Sequence, residues 1–223
     1  MSNPCRPRVA IIDSGGANIN SIVFAFERLG CRPSFTDDWQ VIQAASHVVL
    51  PGVGSAAAAM EKLTASGLAE KIPTLTQPVV GICLGMQLLF DSSQEGGVEC
   101  LGVIPGEVKK LAAGDGLTVP HIGWNRNRLV ELEARDLEAR ENCRGLFDGV
   151  DDGFYAYFVH SFAAPVGPWT VAECRHGQSF SSIVAHRNFI GIQFHPERSS
   201  VDGRRLLGQF LNIGTSQGMG TAV

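Results

Sequence analysis

Short runs of β-branched apolar residues alternate with longer segments of helical period through the first half of the chain, and no other feature of the sequence narrows its fold more. Arg8 to Asp13 reads as a buried strand, Pro33 to Phe35 as a weak one, His47 to Leu50 as a stronger one and Val79 to Cys83 as a fourth. After the turn Ser14-Gly15-Gly16, the residues Ile19, Ile22, Val23, Phe26 and Leu29 recur at helical spacing, and Gly30 supplies the stop. Ser55 reads as the N-cap of an alanine-rich helix that follows Pro51-Gly52-Val53-Gly54, and Leu84 to Phe90 as a helix fed directly by the fourth strand. Strands that are apolar on both faces and separated by helices predict a parallel sheet covered on both sides.

The second half changes character. From about Val103 onward, turns rather than long helices separate the strand signals Gly106 to Leu111, Thr118 to Ile122, Phe154 to His160, Thr170 to Arg175, Phe180 to His186 and Phe189 to Phe194. These predict a mixed sheet with antiparallel edges. Glu131 to Arg144 is charge-rich with Glu and Arg at helical neighbour spacings, which reads as a solvated helix or a surface insertion. Val201 to Leu211 closes the chain as an amphipathic helix. The expected class is α/β, a mostly parallel central sheet flanked by helices with additional antiparallel strands. Residues 1–223 are expected to form a single domain, with flexible ends at about 1–7 and 214–223.

Charge and cysteine usage exclude several functions. Lysine and arginine number 18 against 22 acidic residues, with no basic run longer than Lys109-Lys110, so a phosphate-backbone partner is not expected. The longest apolar run, Val79 to Phe90, is broken by glycines and by Gln87, which argues against a membrane span. Cys5, Cys31, Cys83, Cys100, Cys143 and Cys174 contain no C-x-x-C pair and no histidine at zinc-finger spacing, so neither a metal nor another cofactor is expected. The expected compartment is the cytosol, with the thiols reduced.

Chemistry concentrates in Gly81-Ile82-Cys83-Leu84-Gly85, placed where a buried strand turns into a helix. A tight strand-to-helix turn brings the residues two before and two after the central one together, so both must lack side chains while Cys83 projects into the open. The thiol then sits at a helix N-terminus, whose dipole and free N–H groups favour negative charge. A small buried core cysteine beside packing glycines is the plain alternative. Two further signals weigh against it. His195-Pro196-Glu197 directly follows the last apolar strand, and alternate residues of an extended segment share a face, so Glu197 can orient the imidazole that His195 offers to Cys83. Gly52 and Val53, in the loop that ends the third strand, free backbone N–H groups that with the Leu84 amide could receive a developing oxyanion. One such donor contributes roughly 3–4 kcal/mol in a transition state.

With P-G-V-G, G-I-C-L-G-M-Q and F-H-P-E in this order and spacing, the chain resembles the triad-type (class I) glutamine amidotransferases over nearly its whole length. The resemblance implies Cys83 as the nucleophile that takes glutamine to a thioester, His195 as the acid/base and Glu197 as its orienter. It further implies Gln87, Gly54 and the segment His160-Ser161-Phe162 as the substrate-binding residues.

Pro120-His121-Ile122-Gly123-Trp124-Asn125 is similar to the P-x-[MI]-G-W-N signature of those members that serve imidazole glycerol phosphate synthases in histidine biosynthesis. Tyr157 to Ser161 and Leu101 to Gly106 match that branch too. The implied partner is a (β/α)₈-barrel cyclase in a heterodimer, with L-glutamine as substrate and Pro120, Gly123, Trp124 and Asn125 at the interface. From residue type alone, Trp124 reads as an interface anchor or, more often, as a core wedge. Held against this reading are the glutaminase of an anthranilate or guanylate synthase, a cysteine-elbow stress protein or peptidase without glutamine chemistry, and an inactive scaffold.

Overall fold

The computed structural model describes residues 7–15, 19–52, 54–114, 116–130, 139, 143 and 145–214. Nine strands form the main sheet: β1 (Val9–Ile12), β2 (Ser34–Thr36), β3 (His47–Leu50), β4 (Val79–Ile82), β8 (His121–Leu129), β9 (Tyr155–His160), β11 (Thr170–His176), β12 (Gln178–His186) and β13 (Phe189–Ile192). A smaller sheet holds β5 (Phe90–Ser93), β6 (Val98–Glu99), β7 (Ile104–Lys110) and β10 (Phe162–Ala163). Five helices accompany them among the described residues: α1 (Asn20–Arg28), α2 (Trp39–Ala44), α3 (Ala56–Ala65), α4 (Leu84–Gln87) and α5 (Ser200–Asn212).

Strand order in the main sheet is β2-β1-β3-β4-β13-β12-β11-β8-β9. The first five of these run parallel, and from β13 onward every neighbour is antiparallel. The expected α/β class with antiparallel additions is the class observed.

Alternation along each parallel strand explains why the runs are continuously apolar. Val9, Ile11, Val49, Val80 and Ile82 enter one buried cluster with Ile22 and Phe26 of α1 and Leu206 and Phe210 of α5. Their sequence neighbours Ala10, Ile12, Val48, Leu50 and Val79 enter the other, with Ala59 and Leu63 of α3 and with Phe90, Ile104 and Val108 of the small sheet. Side chains on successive residues point to opposite faces, so a strand covered on both sides has no polar position to spare.

Four expectations need correction. Gly106 to Leu111 does form a strand, β7, but in the second sheet, paired with β5 and β10. The helix after Cys83 ends at Gln87, because Phe90 turns into β5, so the dipole behind the thiol is that of a single turn. The strand expected at Thr118 to Ile122 begins at His121 and runs through the G-W-N stretch to Leu129. Most of Glu131 to Arg144, and the expected tails except Pro7 and Gly214, lie outside the described residues; within the first, Ala139 and Cys143 are helical and belong to the core, so that stretch is not purely a solvated surface. No helix among the described residues is long and apolar enough to cross a membrane.

Candidate active site

Strand order puts β4 between β3 and β13, so three chain segments meet at their carboxyl ends. Such a meeting of strand ends is where open α/β sheets place their sites. Cys83 follows β4 at φ 54° and ψ −112°, a left-handed backbone that a non-glycine residue adopts only when its surroundings enforce it. The enforcement is visible in the glycines. A Cβ on Gly81 would lie 2.6 Å from the Gly85 carbonyl oxygen, and one on Gly52 would lie 2.2 Å from the Gly85 nitrogen. Loop and elbow are thus in backbone contact, which places Gly52 beside Leu84 as the sequence predicts. Val53 lies outside the described residues.

His195 leaves β13 with its N–H donating to the Tyr157 carbonyl (3.0 Å). Ser199, which sequence reasoning missed, ties the same turn to β9: its hydroxyl donates to the His195 carbonyl (2.7 Å) and accepts from the Tyr157 N–H (3.0 Å). Nδ1 of His195 lies 2.9 Å from a carboxylate oxygen of Glu197, whose side chain is 4 % exposed. That leaves Nε2 for the thiol of Cys83, with which the ring is hydrogen-bonded. Burial alone would lower the His195 pKa, but the hydrogen bonds to Cys83 and Glu197 and the charge on each raise it to about 10. The ring therefore carries a proton at neutral pH.

A cavity of about 280 Å³ opens beside Cys83, bordered by Gly54, Leu84, Gln87, Pro120, Ser161 and Phe162 among others. Sites for drug-sized ligands run to about 300–1,000 Å³, so this one suits a molecule the size of an amino acid. Glu95, not anticipated from sequence, brings a carboxylate to the rim while one of its oxygens accepts the Ala56 N–H at the start of α3 (2.9 Å). Gln87 is buried, and its amide nitrogen donates to the Phe162 carbonyl (2.8 Å) and to Gln193 Oε1 (3.0 Å). Gln193, fully buried, places its own amide nitrogen 3.9 Å from Cys83 Sγ. The signal for it was a lone amide in the otherwise apolar run Phe189 to Phe194. A larger cavity of about 570 Å³ lies between the start of β1 and α2 and contains none of the candidate residues.

The G-W-N stretch behaves differently from its residue-type reading. Trp124 is 53 % exposed rather than a core wedge, because in β8 the buried positions are His121 and Asn127 and Trp124 falls on the outward side of the pleat. Ile122 and Tyr155 share that outward exposure, and Ile122 pairs directly with the exposed Val159 of β9. Gly123 sits between them, Asn125 is half-buried and Pro120 is exposed at the cavity rim. His121 and His160 are buried against each other, His121 Nδ1 to His160 Nε2 at 3.0 Å. No group of three or more metal-binding side chains able to hold an ion occurs among the described residues.

Burial lowers the pKa of His121 to about 4, helped by the charge of His176. It lowers that of His160 to about 3, helped by His121, His176 and His195 and opposed by the bond to the Phe162 carbonyl. Both fall below their ordinary value of 6.5, so the unfolded chain takes up protons that the folded one refuses. Their contribution to stability is complete above pH 6.5 and declines as pH drops toward 4. His195 has the opposite sign, contributing fully below pH 6.5 and less as pH rises through about 10. Denaturant midpoints measured between pH 7 and pH 5 should therefore fall less steeply in His160→Asn than in the unsubstituted chain. Equal slopes in the two proteins would refute this origin.

The sequence pattern of the glutamine amidotransferase class-I family matches residues 10–213. The imidazole glycerol phosphate synthase subunit HisH of Shewanella oneidensis is 46% identical over 219 residues, covering 92% of this chain and 96% of that one. The HisH of Xylella fastidiosa strain Temecula1 is 47% identical over 205 residues, covering 92% and 97%. Among solved structures, a GMP synthase component from Thermoplasma acidophilum superposes with TM-score 0.66 at 18% identity, covering 93% of both chains. Another, described as a glutamine amidotransferase, gives TM-score 0.67 at 17% identity over 92% of this chain and 97% of that one; these two bear on the fold alone. The chain belongs to the class-I glutamine amidotransferases and, within them, to the HisH subunits of imidazole glycerol phosphate synthase.

Proposed function

We propose that this chain hydrolyses L-glutamine to glutamate and ammonia through a thioester on Cys83. The ammonia passes to a (β/α)₈-barrel cyclase, and the heterodimer makes imidazole glycerol phosphate and aminoimidazole carboxamide ribotide. The observation that carries this reading is the convergence of Cys83, His195 and Glu197 at the ends of adjacent parallel strands, beside a cavity of amino-acid size.

The chemistry follows from the positions. Cys83 sulfur adds to the carboxamide carbon, and the oxygen that becomes negative meets the amides of the elbow and of the loop at Gly52. His195, held at Nδ1 by Glu197, delivers the Nε2 proton to the departing nitrogen, so ammonia leaves and the thioester remains. The now neutral imidazole takes a proton from water, hydroxide adds to the thioester, and glutamate leaves as the sulfur regains its protonated imidazole partner. Glu95 supplies a negative rim for the substrate's ammonium group. Free ammonia in neutral water is mostly ammonium and no longer a nucleophile, which is a reason for transfer between the two proteins.

The docking surface we assign to the cyclase is the apolar outward face of β8 and β9, with Ile122, Trp124, Tyr155 and Val159. It borders the nucleophile, since the Cys83 thiol lies 3.9 Å from the Val159 carbonyl. Exposed apolar clusters of this kind mark interaction sites. Trp124→Ala should weaken capture of the cyclase by about 30-fold, from the loss of about 2 kcal/mol at an aromatic anchor, with the melting temperature unchanged. Titration calorimetry with the two proteins measures it, and an unaltered affinity would move the interface elsewhere. The function itself is tested by glutamate release from glutamine, for the chain alone and with the cyclase and its ribonucleotide ligand. Activation by that mixture supports the assignment, whereas hydrolysis indifferent to the cyclase points to another synthase.

A further inference from the structure

Asn125, His121, His160 and the Phe162 carbonyl form a chain of hydrogen bonds that the thioester chemistry does not use. Its direction is forced from one end. The Phe162 carbonyl can only accept, so His160 Nδ1 carries the hydrogen of their 2.8 Å bond. In a neutral ring Nε2 then has to accept, here from His121 Nδ1 at 3.0 Å. His121 Nε2 in turn accepts from the Asn125 amide at 3.1 Å. Asn125 has no freedom to reverse, because its nitrogen also donates to the Arg175 carbonyl (3.0 Å) and its oxygen accepts the Arg126 N–H (2.8 Å).

Packing holds both rings in place. His121 stacks between Phe158, at 4.8 Å, and His176, at 4.2 Å, while Phe180 meets His160 edge-on at 5.0 Å. Beyond Phe162 the polar contacts continue toward the nucleophile, through Gln87 and Gln193 to Cys83 Sγ. Both ring nitrogens of His160 are committed to protein partners, so the ring has no hydrogen bond left for a substrate although it borders the cavity.

We propose that His121 and His160 are positioning residues for glutamine binding, acting through the Phe162 carbonyl to hold Gln87 and the Ser161-Phe162 segment in the shape the substrate meets. This rests on the glutaminase reading above. His160 acts directly on the carbonyl and His121 acts through His160, so their effects share one route.

Steady-state glutamine hydrolysis by the chain assembled with the cyclase tests it, using His160→Ala, His160→Asn, His121→Ala and the double alanine variant. Leaving a buried carbonyl short of its donor should raise KM in His160→Ala by about 10-fold or more, with kcat changed by less than about threefold. Asparagine at 160 should restore a near-native KM, since its amide nitrogen occupies the place of the imidazole Nδ1. The double variant should be no worse than His160→Ala alone, the mark of a shared route. A native KM in His160→Ala, a loss confined to kcat, or multiplying effects would each overturn the proposal. Should His160→Ala fail to fold, the remaining single variants decide. His121→Ala with raised KM and His160→Asn with native KM support the role, and a native KM in His121→Ala overturns it. The unsubstituted complex separates the two readings. Hydrolysis by it, with native KM in all the histidine variants, removes the positioning role alone, and no hydrolysis by it removes both.

Discussion

Cys83→Ala should leave a folded chain whose glutamine hydrolysis is at least about 10⁴-fold slower, because removing the nucleophile of a cooperating triad removes nearly all that the triad contributes. The fold should survive. The Cys83 side chain touches the Val159 carbonyl, the Gln193 amide and His195, none of which holds the sheet together, and alanine tolerates the φ of 54° no worse than cysteine does. The imidazole should respond as well, since the thiol is one of the groups that raise its pKa; in the variant that pKa should fall, and NMR titration of His195 reads it directly. Glutamate release, thermal melting and capture of the cyclase measured on the same preparation complete the test. Residual activity within about tenfold of native would reject Cys83 as the nucleophile.

Gly85→Ala should be the most damaging single methyl group at this site. Its Cβ would stand 1.9 Å from the Leu50 carbonyl oxygen and 3.1 Å from the Pro51 carbonyl carbon, and neither neighbour is a side chain that can rotate away. Relief requires the end of β3 to move off the elbow, which also moves Gly52 away from the Leu84 amide. A cost of about 3 kcal/mol or more is expected, or a fall in melting temperature of about 6–12 °C for a chain of this size, together with loss of glutaminase activity. Gly67→Ala is the control. Its φ of 67° also disfavours alanine, but nothing lies within 4 Å of the added carbon, so about 1 kcal/mol should be lost and activity kept. Equal melting shifts in the two variants would mean that backbone conformation, not close approach, explains the glycine at 85.

Much of the parallel half was legible because its rules are local. β3 spans the expected His47–Leu50, and the end of β4 and the helix start at Leu84 frame the elbow that the glycine spacing predicts. Ser55 caps α3 as its residue type suggests, accepting the Ala58 N–H at 3.4 Å. The small sheet was missed because β5, β6 and β10 are two to four residues long, too short for alternation to register. α2 was missed for a similar reason, having six residues and a single fully buried side chain, Ile42.

Within the site, the residues named in advance were those carried by turn chemistry: the elbow cysteine, the glycine loop and the histidine and glutamate spaced to share a face. Gln193, Ser199 and the partners of His121 were not, because their meaning lies in strands remote in sequence. His121 meets His160 only because β8 pairs with β9 in the register His121↔His160, and Trp124 turns outward in that same register. One residue of slip would bury the tryptophan and expose the histidine.

Sequence by itself determined the covered parallel strands, the backbone needed at Cys83 and the pairing of His195 with Glu197, since each depends on side-chain volume, φ or period within a few residues. Only the tertiary structure decided that β4 lies between β3 and β13, that two histidines and two glutamines link Asn125 to the nucleophile, and that an apolar strand face is left open beside it. Strand order and register are set by packing summed over the whole core, and no short segment carries that sum.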